Sequence, residues 1–219
     1  MTIPFRPSAS VLSVNVGQPR ATSGTREART AIGKTPVAGP TLATRLGLVG
    51  DAVGSPDVHG GVDMAVYAYA REDLHAWQRE LGLQLPDGWF GENLTTLGID
   101  VNAALVGERW RIGGALLEIA KVRIPCNTFQ LRIAEAGGPD RGWVKRFTQA
   151  AIPGPYLRVL EEGEIAAGDA IEVVHRPDHG ITVSHMFRAL TTDPALLPDL
   201  AVIEGLATSV RSKVDVYTA

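Results

Sequence analysis

Short apolar runs, separated by glycine and proline, fill most of the chain up to residue 175. Residues 10–16 alternate between apolar and polar positions, with Leu12, Val14 and Val16 on one face, which predicts an opening strand. Residues 64–69 are apolar throughout and predict a buried strand. Further strands are predicted at 101–106, 109–112, 115–122, 156–160 and 170–174, with glycines marking the turns between them.

Helical spacing occurs at fewer places. Leu74, Trp77 and Leu81 recur at helical intervals within 71–81, and Gly82 follows them, so a helix is predicted there. Residues 142–149 predict a second, short helix.

The sequence pattern changes after residue 177. Residues 182–215 have helical spacing and predict three short helices, the second beginning at Asp193-Pro194. Residues 18–35 are polar and predict a mobile loop or an edge hairpin. The predicted fold class is therefore mainly β, with a body at 1–177, a few peripheral helices, and a small helical tail at 178–219.

Composition and charge narrow the range of functions. The chain of 219 residues is 45% hydrophobic and 21% charged, which is enough apolar material for a sizeable core. A net charge of −3, without a cluster of lysines and arginines, argues against a nucleic-acid polymer or a membrane as partner. The sequence shows no export signal and no apolar run of membrane-spanning length, and a single cysteine suits the cytoplasm.

One apparent nucleotide motif is rejected. Gly33-Lys34-Thr35 resembles the end of a phosphate-binding loop, but the glycine that the motif requires earlier is Ala28. Pro36 follows, and no strand-to-helix transition frames the segment. The match is therefore interpreted as chance.

Two segments with glycines could line a ligand site. The adjacent Gly60 and Gly61 would let the backbone approach a ligand and present N–H groups to it, although an ordinary turn would use the same residues. Glu92 and Asn93 are neighbours, and on a strand they would point to opposite faces. One of the two could then face a pocket while the other holds a loop.

Cys126 is the only cysteine in the chain. It can be a buried apolar side chain, a reactive thiolate, or a ligand to one soft metal centre. Pro125 restricts the backbone ahead of it, and Arg123 could favour the thiolate and bind a phosphate. A thiolate beside a cation at the end of a strand suits a soft metal.

The order and spacing of these segments resemble the MOSC family, the C-terminal domain of molybdenum-cofactor sulfurases, and within it the YiiM-like branch. The resemblance covers residues 8–215. The matching segments are 46–51, His59-Gly60-Gly61 with Asp63, Tyr69 with Arg71 and Glu72, residues 90–94, Arg123 with Pro125 and Cys126, and Gly142-Trp143.

The resemblance implies a β-barrel of mostly antiparallel strands that binds a molybdopterin-type molybdenum cofactor. Cys126 would be the catalytic residue and the protein's ligand to the metal, since a thiolate is a soft donor. Arg123 would neutralise negative charge on the cofactor, and other residues would line the cleft or hydrogen-bond the pterin. The cofactor-binding residues implied in this way are Arg123, His59, Gly60, Gly61, Glu92 and Asn93.

The activity that the resemblance implies is the reduction of small N-hydroxylated substrates, such as N-hydroxylated bases and amidoximes. One cysteine cannot hold an iron–sulfur cluster in the usual way, so electrons would come from a separate flavin or iron–sulfur reductase. A homodimer is compatible with the family. Pyridoxal phosphate is not expected, because it belongs to a separate desulfurase domain that 219 residues cannot accommodate.

Two alternatives of other classes stay open. Cys126 could carry a persulfide or pass the cofactor to a partner, which would make the chain a sulfur or cofactor carrier without turnover. The chain could also be a barrel that binds a small ligand and catalyses nothing.

Overall fold

The computed structural model describes residues 8–22, 29–52 and 60–219. The strands are β1 Ser10–Val16, β2 Arg20–Ala21, β3 Arg29–Thr30, β4 Thr35–Pro36, β5 Thr41–Thr44, β6 Gly47–Leu48, β7 Val66–Ala70, β8 Leu94–Leu97, β9 Arg109–Ile112, β10 Ala115–Val122, β11 Pro155–Glu161, β12 Gly163–Ile165 and β13 Ile171–His175. The α-helices are α1 Arg71–Leu81, α2 Asn127–Glu135, α3 Trp143–Ala150, α4 Val183–Thr191 and α5 Thr208–Thr218. Two 3-10 helices occupy Val62–Met64 and Pro194–Val202.

An eight-stranded sheet forms the centre of the molecule, in the order β13-β9-β10-β11-β7-β8-β1-β4. Its pairs are antiparallel except for β7 and β8, which run parallel because α1 connects them. A second sheet has the order β12-β5-β6, and β2 pairs with β3 in a hairpin. This pairing agrees with the hairpin predicted as one alternative for the polar segment at 18–35, although the two strands form their own sheet and not the edge of a larger one.

The prediction of a mainly β barrel needs correction. The fold is mixed α/β, with about 30% helix and 29% strand, and its large sheet does not close into a barrel in the part that the structure describes. An isolated bridge between Ser10 and Ala170, with backbone hydrogen bonds beside it such as Ile171 N to the Ala9 carbonyl at 2.9 Å, links β1 to the start of β13. Helices pack on both faces of the sheet, α1 to α3 on one and the tail helices on the other, so its apolar side chains are buried without closure.

Most predicted elements are confirmed, because each has a strong local signal. Helix α1 has the predicted bounds and ends at Gly82, which adopts a left-handed conformation with φ 67°. Strand β7 is buried at every position, and the three tail helices begin where expected, with the second starting at Pro194.

One strand prediction is wrong. Residues 101–106 form turns, because the Asp100 carboxylate accepts hydrogen bonds from the backbone N–H groups of Asn102 and Ala103, both at 3.0 Å. Strand β1 has the predicted bounds, but its pairing shifts between Val11 and Ser13, and Leu12 is 41% exposed while Val14 is buried.

The tail helices share one core with the sheet. Phe187 of α4 and Leu200 of the second 3-10 helix belong to the same buried cluster as Trp110 of β9. The division at residue 177 into two domains therefore stays a prediction about sequence organisation. In the described residues, no helix has the length and apolar character needed to cross a membrane.

Candidate functional site

A cavity of about 310 Å³ opens where several segments that are distant in sequence meet. One wall is the stretch from β3 to Lys34, and another is the β5–β6 hairpin with Asp51. The turn before β8 and the segment from Arg123 to Thr128 complete the enclosure. The structure therefore brings Arg123, Cys126 and Asn93 to one site.

Cys126 is half-buried at this cavity and occupies the N-cap of α2. Its carbonyl oxygen accepts hydrogen bonds from the N–H groups of Phe129 at 3.0 Å and Gln130 at 3.1 Å, which start the helix. A helix N-terminus attracts negative charge, so the wall around the sulfur suits an anionic ligand. Helix α2 was not predicted, although Phe129 and Ile133 lie at helical spacing and both are buried.

Arg123 presents a buried cation next to Cys126. Its side chain is 6% exposed, its Nη1 donates to the Phe90 carbonyl at 2.7 Å, and its guanidinium lies 3.8 Å from the ring centroid of Phe129. No carboxylate of the described residues lies within salt-bridge distance of it. A guanidinium is always charged, so this charge is available to an anion in the cavity.

Lys34, Asp51 and Asn93 form a polar wall, of which only Asn93 was predicted as a site residue. Lys34 and Asp51 make an ion pair in which each side chain is only 9% exposed. Asp51 also accepts hydrogen bonds from Gly17 N at 2.7 Å and from Asn93 Nδ2 at 2.8 Å. Burial lowers the pKa of Lys34, and the Asp51 carboxylate offsets part of this effect. Lys34 leads into strand β4, so the rejection of a phosphate-binding loop agrees with the structure although the lysine lines the cavity.

Glu92 and Asn93 point in different directions, as predicted. Asn93 lines the cavity and accepts a hydrogen bond from Tyr67 N at 3.1 Å. Glu92 is fully buried behind it, where its Oε1 accepts from Gly88 N at 2.7 Å and from Thr95 Oγ1 at 3.0 Å. Its Oε2 has no hydrogen-bond partner in the described part of the chain. Burial raises the pKa of Glu92 to about 7.

Replacing Glu92 by glutamine is expected to flatten the pH dependence of stability. Because the pKa is raised in the folded state, the folded protein keeps this proton at pH values where the unfolded chain releases it. The free energy of unfolding of the unaltered protein therefore falls between pH 4.5 and about 7, by up to roughly 3 kcal/mol from this group. Glutamine cannot ionise, so this fall is absent from Glu92→Gln. The free energy of unfolding of the variant should therefore rise relative to that of the unaltered protein as the pH increases over that range. Urea unfolding at both ends of the range measures this shift, and a constant difference would contradict it.

The paired glycines differ from Arg123, Cys126 and Asn93 in their position relative to the cavity. His59 lies outside the described residues, and Gly60 and Gly61 do not line the cavity. Gly61, with φ 97°, caps the 3-10 helix that follows, and this helix carries Met64 to the cavity wall. Contact of these glycines with a ligand stays a prediction.

Two tyrosines form an aromatic wall that was also missed. Tyr67 and Tyr156 line the cavity, with ring centroids 5.1 Å apart. The Tyr67 hydroxyl donates to the Pro153 carbonyl at 2.7 Å, which orients its ring. The apolar pattern of β7 was the only sequence signal for Tyr67, and it indicates burial without revealing a cavity.

The chain belongs to the MOSC domain family, whose model matches residues 55–172. Over 214 residues it is 30% identical to the YflK protein of Bacillus subtilis (strain 168), and the match covers 94% of this chain and 95% of YflK. It is 29% identical to a protein named reductase from Gibberella moniliformis (strain M3125 / FGSC 7600), covering 80% of this chain and 31% of that protein. Among solved structures it is similar to YiiM from Geobacillus stearothermophilus, with a TM-score of 0.78 and 27% identity, covering 96% of this chain and 100% of that one. The resemblance to the YiiM-like branch is thus confirmed.

Proposed function

We propose that the chain binds a molybdopterin-type molybdenum cofactor in this cavity and reduces small N-hydroxylated compounds, with electrons from a separate reductase. The observation that carries the proposal is the position of Cys126. The only thiol of the chain faces a cavity, at a helix N-terminus, beside the buried Arg123. A structural cysteine needs none of these neighbours.

The residues around the cavity fit the chemistry of such a cofactor. A thiolate is a soft donor suited to a metal that already holds dithiolene sulfur. Arg123 carries a positive charge at the cavity that no carboxylate of the described residues pairs with, and it would offset the negative charge of a phosphate or dithiolene, whereas the charge of Lys34 is already compensated by Asp51. The rings of Tyr67 and Tyr156, which are tilted by 40° to each other, line the cavity and offer aromatic faces on which a planar heterocycle could stack. A volume of about 310 Å³ lies at the lower end of the range for ligand pockets.

The reaction consumes two electrons and two protons, which convert an N–OH compound into the amine and water. The cofactor, when bound, would supply the two-electron chemistry. Cys126 would hold it in place, and Arg123 would bind its negative charge. The polar wall of Lys34, Asp51 and Asn93 would orient the ligand through hydrogen bonds. The name reductase of the Gibberella relative supports this class of reaction.

Metal analysis and turnover test the proposal together. The protein is produced in a host that makes the cofactor and in a matched host that cannot, and molybdenum is measured by mass spectrometry. We expect stoichiometric molybdenum only from the first host. With viologen reduced by dithionite as the donor, that sample should reduce an N-hydroxylated base to its amine. Molybdenum without turnover would indicate a carrier, and absence of molybdenum from both samples would overturn the proposal.

A further inference from the structure

We propose that the rim of the cavity is the docking surface for an acidic electron-transfer protein. This rim surface consists of Arg29, Arg45, Leu46, Lys121 and Ile124. The inference rests on the proposed function, because it concerns the partner that would deliver the electrons.

Large apolar side chains are exposed at the rim. Leu46, at the tip of the β5–β6 hairpin, is 72% exposed, and Ile124, after β10, is 41% exposed. Both of them line the cavity, although they come from segments that are distant in sequence. A single exposed apolar residue is ordinary, but a pair at the mouth of a cavity is typical of an interaction site.

Positive charge surrounds this apolar pair. Arg29 is exposed and lines the cavity, and Arg45 is exposed next to Leu46 on the hairpin. The Nζ of Lys121 lies 4.0 Å from the sulfur of Met64, which is itself a lining residue. In the described residues, none of these three cations has a carboxylate within salt-bridge distance.

The acidic groups near the rim do not cancel this charge. Asp63 raises the pKa of Lys121, opposing the larger lowering by burial, but its carboxylate is bound to Arg158 at 2.9 Å. The Glu162 carboxylate accepts the backbone N–H of Arg45 at 2.9 Å and offsets one of the three rim cations. The described side chains of the rim therefore stay positive as a group, on a chain whose net charge is −3. Such a local reversal of sign orients an acidic partner toward one face.

The position of the rim explains why an electron donor would bind there. A redox partner comes nearest to a ligand in the cavity where lining side chains reach the surface, as those of Arg29, Leu46 and Ile124 do. Encounters between redox proteins bury little surface and depend on charge complementarity. The rim surface, with two exposed apolar side chains and three cations near them, has the composition expected of such an encounter surface.

The test compares two electron donors on the same protein. The partner probe is an acidic flavodoxin kept reduced by its NADPH-dependent reductase, and the small donor is viologen reduced by dithionite. We expect Arg45→Glu and Lys121→Glu each to lower flavodoxin-dependent kcat/KM by about tenfold or more, because they place like charges against the partner. Their viologen-dependent rates should stay unchanged. Arg45→Lys keeps the charge and should behave like the unaltered protein, as should Arg141→Glu, which reverses an exposed charge on the loop before α3.

The outcomes separate this inference from the proposed function. Absence of viologen-dependent turnover would overturn the proposed function, and docking is then judged by binding of labelled flavodoxin to the same variants. Equal losses with both donors, equal losses in Arg141→Glu, or no binding of flavodoxin by the unaltered protein would overturn the docking surface. A dimer that Arg45→Glu converts into a monomer would show instead that the rim contacts a second copy of the chain.

Discussion

Replacement of Cys126 by serine is expected to abolish molybdenum binding while the protein stays folded. Serine has nearly the size of cysteine but offers a hard oxygen that is protonated at neutral pH, which is a poor ligand for a soft metal centre. Loss of a supporting partner outside the metal's own ligands already costs roughly 10- to 100-fold in affinity, and loss of the ligand itself should cost at least the upper value. Molybdenum content should therefore fall to background, and turnover with it.

The same substitution has a built-in control for folding. Cys126 occupies the N-cap of α2, and serine is a preferred residue at that position. The melting temperature of Cys126→Ser without cofactor should equal or exceed that of the unaltered protein without cofactor. Cys126→Ala lacks both the thiol and the cap, and it should also lose the metal. If Cys126→Ser keeps stoichiometric molybdenum, the thiol is not the ligand.

Asp51→Asn is expected to cause the largest loss of stability of any single change at the site. Asparagine keeps the shape of the side chain but removes the charge that compensates the buried Lys34 ammonium. Removing one partner of a buried ion pair typically costs about 3–5 kcal/mol, because the remaining charge has no compensation. The asparagine oxygen can still accept from Gly17 N, but the amide nitrogen that replaces the second oxygen cannot accept from Asn93 Nδ2, so the loss reports on the charge together with this hydrogen bond. Urea unfolding of the protein without cofactor measures it.

Two further variants check the cause of that loss. Adding Lys34→Met to Asp51→Asn removes the orphaned charge and should recover much of the stability, as a double-mutant cycle would report. Glu161→Gln breaks an ion pair with Arg111 on the surface, where the partners are 57% and 35% exposed, and should cost much less stability because water screens both charges. A similar small cost for Asp51→Asn would contradict the assigned role of the pair.

Much of the fold could be predicted because its signals are local. The helix at Arg71–Leu81 has its apolar spacing and its terminal Gly82 within a dozen residues, and strand β7 is apolar throughout. Helix α2 was not predicted, because its N-cap is Cys126, whose side chain makes no capping hydrogen bond, so the helix start has no local signal in the sequence. The strand predicted at 101–106 was wrong because a side-chain hydrogen bond from Asp100 competes with extended structure.

The candidate site, like the fold, could be predicted only in part from the sequence. The sequence by itself determined that one thiol exists, that Arg123 and Pro125 precede it, and that the order of its motifs is that of the MOSC family. Only the tertiary structure decided which other side chains surround that thiol. The Lys34 side chain contacts Asp51, which is 17 positions away in the sequence, and Asp51 accepts a hydrogen bond from Asn93, which is 42 positions away.

The physical reason lies in the range of the interactions. Helix and strand patterns depend on neighbours within a few residues, so they can be recognised in the chain itself. The burial that raises the pKa of Glu92, and the ring of Phe129 that places Arg123, depend on sheet order and on the packing of α2 against the sheet. The sequence thus identified the sulfur and its family, and the fold determined the charges and the cavity that surround it.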